Sequence, residues 1–248
     1  MKNWLAALCL AVCAAGAPAA FADGGFPLDR APDNTENLVA LQHGAQLFVN
    51  YCLNCHSASL MRYNELAQIG IPDKLIADNL LFAADKTGQP MTVAMRPEDA
   101  KAWFGTAPPD LSLEARARGR DWLYTYLRSF YRDDTRPTGW NNAVYPNVAM
   151  PNVLWELQGI HVPKYEDVTD PETGEKTHKL IGFEQQSPGK LSPVDYDTDV
   201  ADLVAYLNWM SEPSQLTRKR LGVWVMLFLG LLTFSAWRLN AAYWKNIK

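Results

Sequence analysis

The chain has 248 residues, 48% of them hydrophobic and 20% charged, with 15 Gly and 16 Pro. That excludes a disordered polymer, a collagen-like repeat and a disulfide-rich miniprotein. The formal net charge of −4 hides a division, because all 27 acidic residues lie between Asp23 and Gln215, where 16 basic ones leave a balance of −11. This sign excludes a nucleic-acid binder and suits a cationic soluble partner.

Residues 1–22 read as a secretory signal peptide. Lys2 precedes an apolar run from Trp4 to Ala15, too short to span a bilayer comfortably, and Ala20-Phe21-Ala22 makes a small-x-small cleavage site. Cys9 and Cys13 leave with the signal, so the exported chain carries Cys52 and Cys55 in an oxidising compartment. Thr35 is then the expected cap of a helix from Glu36 to about Cys52, with Leu38, Leu41, Ala45 and Phe48 at helical intervals. Gly44, four residues before Phe48, leaves a notch beside that ring. Met61 to Ala84 reads as one or two short helices broken at Gly70-Ile71-Pro72.

Pro97 opens a helix through Trp103 that Gly105 ends, and Pro108-Pro109 forces an extended segment. Arg120 to Tyr131 is a helix with Leu123, Tyr126, Leu127 and Phe130 on one stripe. Pro137 to Pro163 is mostly loop. Lys164–Val168 and Lys176–Phe183, about the turn Asp170-Pro-Glu-Thr-Gly174, predict a β-hairpin inserted in a helical domain. Thr198 is the expected cap of a helix whose Val200, Leu203, Val204 and Leu207 share a face, and Pro213 ends it. Leu221 to Trp237, seventeen residues without a charge, rises about 26 Å as a helix, near the lower limit for crossing a bilayer core. Arg218-Lys219-Arg220 and Arg238 bracket it, and Trp224, Trp237, Tyr243 and Trp244 suit interfacial belts.

Cys52-Leu53-Asn54-Cys55-His56 is the run that carries chemistry. C-x-x-C-H is the pattern of covalent c-type haem attachment. Two thiols at that spacing reach the two vinyl groups of one haem, and the next histidine is held beneath the iron. An export signal agrees, since such haem is attached outside the cytoplasmic membrane. A thioredoxin-like pair would sit in a βαβ setting and a zinc site would need further ligands; a structural disulfide is the remaining bland reading, and motif, following histidine and compartment together favour haem attachment.

Outer-sphere electron transfer requires a sixth iron ligand. His43 lies nine residues before Cys52 on the same helix, too close along the chain to reach the other haem face. His178 falls in the hairpin, and Met61 is too near His56. Met150, stiffened by Pro151 and far enough along the chain, stands first, with Met95 and His161 behind. A methionine ligand raises a haem's potential.

The blocks Tyr-Cys-Leu-Asn-Cys-His-Ser (51–57), Ala-Pro-Pro-Asp-Leu-Ser (107–112) and Ala-Met-Pro (149–151), with the C-terminal anchor, resemble the cytochrome c1 family. Its members are the haem c subunits of the ubiquinol–cytochrome c reductase, or cytochrome bc1, complex. The resemblance runs in order over nearly the whole exported chain. It implies Met150 as sixth ligand, Arg118 at a haem propionate with Arg116 and Arg120 as neighbouring candidates, and Pro108 and Pro109 along the haem edge. With the hairpin and the anchor read from the residues, the expected fold is a mainly α, cytochrome c-like haem domain with a small inserted β-hairpin and one C-terminal transmembrane helix, in which the helix through Gly44 and Phe48 crosses the last globular helix near Tyr206 and Leu207.

The expected organisation is a signal peptide over 1–22, a periplasmic haem domain over 23–215, a transmembrane anchor over 216–240 and a cytoplasmic tail over 241–248. The setting is the bacterial inner membrane, and the membrane is reached through the C-terminal helix. Haem c, covalent through Cys52 and Cys55 and ligated by His56 and Met150, is the expected cofactor, with no catalytic residue and no substrate bond chemistry. Cytochrome b and a Rieske iron–sulfur subunit are the implied partners, and a cationic cytochrome c is the implied acceptor. A stand-alone membrane-anchored cytochrome c serving an oxidase, or a haem-based sensor, are the rival readings.

Overall fold

The computed structural model describes residues 26–169 and 176–246. The expected signal peptide with Cys9 and Cys13, the hairpin turn Asp170–Gly174 and Lys248 lie outside the described residues. Helix α1 spans Leu38–Leu47 and is capped by Asn37, whose side chain accepts from the backbone N–H groups of Val39 (3.1 Å) and Ala40 (3.3 Å). The expected cap, Thr35, sits two residues earlier, where its hydroxyl donates to Asp33 Oδ1. From Phe48 to Cys52 the coil widens to a π-helical turn, in which the Leu53 N–H reaches back to the Phe48 carbonyl. Wider turns of this kind recur at functional sites because they re-aim the side chains that follow.

Strand β1 (Ala58–Arg62), a 3₁₀ helix (Tyr63–Ile69) and α2 (Asp73–Asn79) follow, then β2 (Pro90–Met91) and α3 (Pro97–Phe104). The expected break falls at Gly70, which takes φ 84°; the strand at its start is a correction to the all-helical expectation. Helix α3 ends at Gly105 as expected. Two further departures come next. A short α4 (Glu114–Arg118) forms after the proline pair, and the aromatic helix α5 (Arg120–Arg128) stops before Phe130. Phe130–Arg132 instead makes β3, paired with β4 (Trp140–Asn142). The expected loop over 137–163 also holds the short α6 (Trp155–Gln158) and the start of β5. The hairpin is longer than expected, β5 (Gly159–Thr169) pairing with β6 (Lys176–Pro188) through two register irregularities.

Helix α7 (Pro193–Ser211) is the centre of the core, with Tyr196, Val200, Leu203, Val204, Tyr206 and Leu207 all buried. Its cap is Ser192, which accepts from the Asp195 N–H, with Pro193 at the first helical position. Thr198 lies one turn inside and donates to the Val194 carbonyl instead, so the expected cap is displaced by six residues. Helices α1 and α7 cross where Gly44 offers no side chain. A Cβ there would stand 2.7 Å from both the Asp202 carbonyl carbon and Tyr206 Cβ, and Phe48 and Tyr206 meet with ring centroids 5.5 Å apart. Asp202, buried beside this crossing, takes His43 Nδ1 at 3.0 Å and Asn34 Nδ2 at 3.1 Å.

Helix α5 packs on the same core. Tyr196 donates to the Leu127 carbonyl at 2.9 Å, and Arg128 grips Asp197 through two bonds of 2.6 and 2.9 Å while its Nη1 holds Asp29. The last helix, α8 (Gln215–Tyr243), has no buried residue. Its mean hydropathy reaches 1.6 over its most apolar stretch, and it is the one helix among the described residues long and apolar enough to cross a membrane.

Candidate functional site

A cavity of about 420 Å³ opens where the π-helical turn, α5, α7 and the two proline-bearing loops converge, a size in the range of cofactor and ligand sites. Cys52, Cys55 and His56 enter from the turn after α1, Pro108 and Pro109 from the segment after α3, and Arg118 from the end of α4. Met150 enters from the loop before α6. Leu123 and Leu127 of α5 and Leu203 and Leu207 of α7 complete an apolar wall.

The local chemistry explains why each group stands where it does. The N–H groups of Cys55 (3.0 Å) and His56 (2.9 Å) both return to the Cys52 carbonyl, so the motif closes into one tight turn. Burial raises the Cys52 thiol to about 12 and raises Cys55 as well, and the two are not joined as a disulfide. The His56 Nδ1–H donates to the Pro109 carbonyl at 2.8 Å. A carbonyl only accepts, which fixes the tautomer and leaves Nε2 with the lone pair a metal needs. Burial holds this imidazole below its ordinary pKa, against the opposing pull of the Pro109 carbonyl, Glu114 and Asp110.

Pro109 is held in turn by Asp110, whose two oxygens accept from the Ser59 and Ser112 N–H groups at 2.8 Å each. The proline pair makes the segment stiff, and the aspartate fastens it to β1. Buried asparagines brace the loop that carries Met150. Asn141 Oδ1 accepts from the Asn147 N–H at 2.8 Å, Asn142 Nδ2 donates to the Tyr126 carbonyl at 2.7 Å, and Asn152 Nδ2 donates to Gln158 Oε1 at 2.8 Å.

Among the sixth-ligand candidates Met150 lies in the cavity wall; Met95 and His161 do not. His161 instead stacks on Phe183 with ring centroids 6.2 Å apart, Met61 is buried in β1, and His178 lies in β6. The three arginines separate equally well. Arg118 faces the cavity, with its guanidinium 4.9 Å from the Trp122 ring centre, 5.8 Å from that of Tyr145 and 3.6 Å from Glu114. Arg116 lies 4.0 Å from Glu212 and Arg120 2.6 Å from Asp33, both outside the wall.

Sequence reasoning missed three contributors. Tyr126, placed only on an apolar stripe, donates its hydroxyl to Met150 Sδ at 3.3 Å. Trp122 stacks on Tyr126 at 4.8 Å and an interplanar angle of 11°, carrying Arg118 on its ring. Asp110 was part of a recognised block without a role of its own. A tyrosine within an apolar stripe was the available signal, because a buried phenol needs a hydrogen-bond partner.

The residues present fit haem c. Two thiols on one turn, an imidazole with its second nitrogen oriented, a thioether on a braced loop and a cation at the apolar wall are the donor set such a group requires.

The Cytochrome C1 family model matches residues 32–183 and 191–247. A protein of Allochromatium vinosum named cytochrome c1 is 46% identical over 90% of this chain and 91% of its own length. One of Nitrosomonas europaea named ammonia monooxygenase gamma subunit is 44% identical over 89% and 88%, and a cytochrome c1 of Rhodospirillum rubrum is 31% identical over 84% and 82%.

Proposed function

The chain belongs to the cytochrome c1 family, and from that premise we propose how its own residues do the family's work. It is an electron-transfer subunit of the cytochrome bc1 complex, carries haem c and is anchored in the membrane; cytochrome b belongs to the same complex. When bound, haem c supplies a one-electron ferrous–ferric couple. Cys52 and Cys55 would hold it through thioethers, His56 Nε2 and Met150 Sδ would ligate its iron, Pro108 and Pro109 would line its edge, and Arg118 would take a propionate. With both ligands in place the group would exchange electrons only, and no substrate bond would be made or broken at this subunit.

The single observation that carries this reading is that the C-x-x-C-H turn and Met150, 94 positions after His56, line one apolar cavity. The segment 1–22 directs export, 23–215 is the haem domain on the periplasmic side of the inner membrane, 216–240 is the anchor and 241–248 is the cytoplasmic tail. A Rieske iron–sulfur subunit delivers the electron and a cationic cytochrome c removes it.

Haem peroxidase staining of a denaturing gel tests the attachment: the band survives acid–acetone extraction, whereas haem lost to the solvent refutes it. The oxidised protein should show the weak near-infrared absorption of methionine-to-iron charge transfer. Met150→Leu should abolish that absorption; an unchanged spectrum and potential would place the ligand elsewhere. Rapid, tight binding of carbon monoxide to the ferrous protein would favour the sensor reading.

A further inference from the structure

A second cavity, of about 380 Å³, lies where the globular part meets the first turn of α8. Asp33 and Glu36 reach it from the segment before α1, Arg120 from α5, Asn208 from α7, and Gln215 and Lys219 from α8. None of these residues lines the haem cavity. Arg120 uses Nη1 on Asp33 (2.6 Å) and Thr35 (3.5 Å), while its Nε and Nη2 make no hydrogen bond among the described residues. Lys219 Nζ meets the Gln215 side-chain oxygen at 3.3 Å and forms no ion pair among the described residues. Glu36 is exposed and likewise forms no ion pair there. One recess therefore holds two cations with open donors and two carboxylates.

The geometry of this recess is fastened from behind. Glu212 accepts from Arg218 at 2.5 and 3.0 Å and lies 4.0 Å from Arg116, which ties the start of α8 to the globular part. Two residues beyond Lys219 begins the uncharged run Leu221 to Trp237. A helix crosses a membrane with such a run in the hydrocarbon, so the recess stands at the level of the lipid headgroups.

We propose that this recess binds the headgroup of a phospholipid that carries both a phosphodiester and a primary ammonium. The phosphodiester meets Lys219 and the free edge of Arg120, the ammonium meets Asp33 and Glu36, and the amides of Asn208 and Gln215 supply neutral bonds. An anionic headgroup without an amine leaves two carboxylates facing a phosphate. A quaternary ammonium offers those carboxylates no N–H. The recess therefore selects by charge pattern, a discrimination that repulsion sharpens. The proposal rests on α8 lying in the membrane and is independent of the haem ligands.

The test uses delipidated full-length holoprotein in non-ionic detergent and native mass spectrometry. Dihexanoyl phosphatidylethanolamine, phosphatidylglycerol and phosphatidylcholine are titrated separately, with phosphoethanolamine and inorganic phosphate as the free-headgroup arms. The expected result is one phosphatidylethanolamine per chain, bound several-fold more tightly than the other lipids and than either free headgroup. Lys219→Gln should weaken it about three- to tenfold, the effect of one charge-assisted bond discounted for exposure. Asp33→Asn should shift the preference toward phosphatidylglycerol. Arg220→Gln, beside Lys219 but outside the recess, should change nothing. Equal losses in Lys219→Gln and Arg220→Gln would reveal diffuse attraction and overturn the proposal. Inorganic phosphate binding as tightly as the lipid would overturn it too, by making the recess a plain anion site. Lys219 is exposed, so its variant folds whether or not Asp33→Asn does.

Discussion

Gly44→Ala is the substitution that most directly probes how the haem domain is held together. Alanine suits a helix better than glycine by about 1 kcal/mol, so on α1 alone the change would stabilise. At the crossing with α7 the added Cβ falls inside contact distance of the Asp202 carbonyl oxygen and 2.7 Å from Tyr206 Cβ. Two of its three nearest atoms are backbone, which no rotamer change can move aside. The helices must part, and that separates the Phe48–Tyr206 rings and stretches the 3.0 Å His43–Asp202 bond. Overpacking of a close-packed core costs about 1–3 kcal/mol, and the loosened contacts add to it. After the helix-propensity gain, the net loss is about 2 kcal/mol. For a domain of this size that lowers the melting temperature by about 4–8 °C. Thermal unfolding of the full-length holoprotein, followed by far-ultraviolet circular dichroism and by the haem Soret band, measures it. Both signals should shift together, because Leu203 and Leu207 of α7 also line the haem cavity. A variant that melts at or above the wild-type temperature would show that α1 and α7 part freely, and the crossing would lose its structural role.

Tyr126→Phe removes the hydroxyl that draws electron density from Met150 Sδ; the midpoint potential should fall and the near-infrared band should shift, as redox titration and absorption would record. Arg118→Gln should lower the potential by removing a positive charge at the cavity wall, whereas Arg116→Gln and Arg120→Gln, whose partners are Glu212 and Asp33, should leave it unchanged. The association rate with a basic cytochrome c should fall as ionic strength rises, because salt screens the −11 balance over about 8–10 Å; a rate indifferent to salt would assign the acidity to solubility.

Features fixed by short-range rules were legible in the sequence. The C-x-x-C-H spacing, the stop at Gly105, the break at Gly70, the uncharged anchor run and the Gly44–Phe48 notch each follow from neighbours within a turn or two. What failed depended on partners distant in sequence. The π-helical turn at Phe48–Cys52 carries no local signature, because its wider coil answers to packing on both sides. Strand β3 looked helical because Phe130 continues the stripe of α5, yet Asn142, twelve positions on, pairs with it. The cap of α7 was a different failure. Ser192 followed by Pro193 is a local start signal, and the helix begins there, six residues before Thr198 and ahead of the hydrophobic period that starts at Val200. Some acidic positions also proved committed: in the run 195–202 Asp197 holds Arg128, and Asp202 is buried beneath His43. Those two carboxylates are therefore held in place by partners within the fold and are poor candidates for direct contact with a docking protein.

The cavity wall also explains why a local motif cannot make the site by itself. Cys52, Cys55 and His56 are neighbours, so the motif alone presents two thiols and one imidazole on a single turn. The second axial candidate, the cation and the apolar lining arrive from α4, α5, α7 and the Met150 loop, and they meet the motif only once the core has formed. A group that fills the space therefore belongs to the core as much as to the chemistry. Leu123 and Leu127 of α5 and Leu203 and Leu207 of α7 line the cavity and also belong to the buried core that joins the two helices, which ties the redox environment to the packing of the fold.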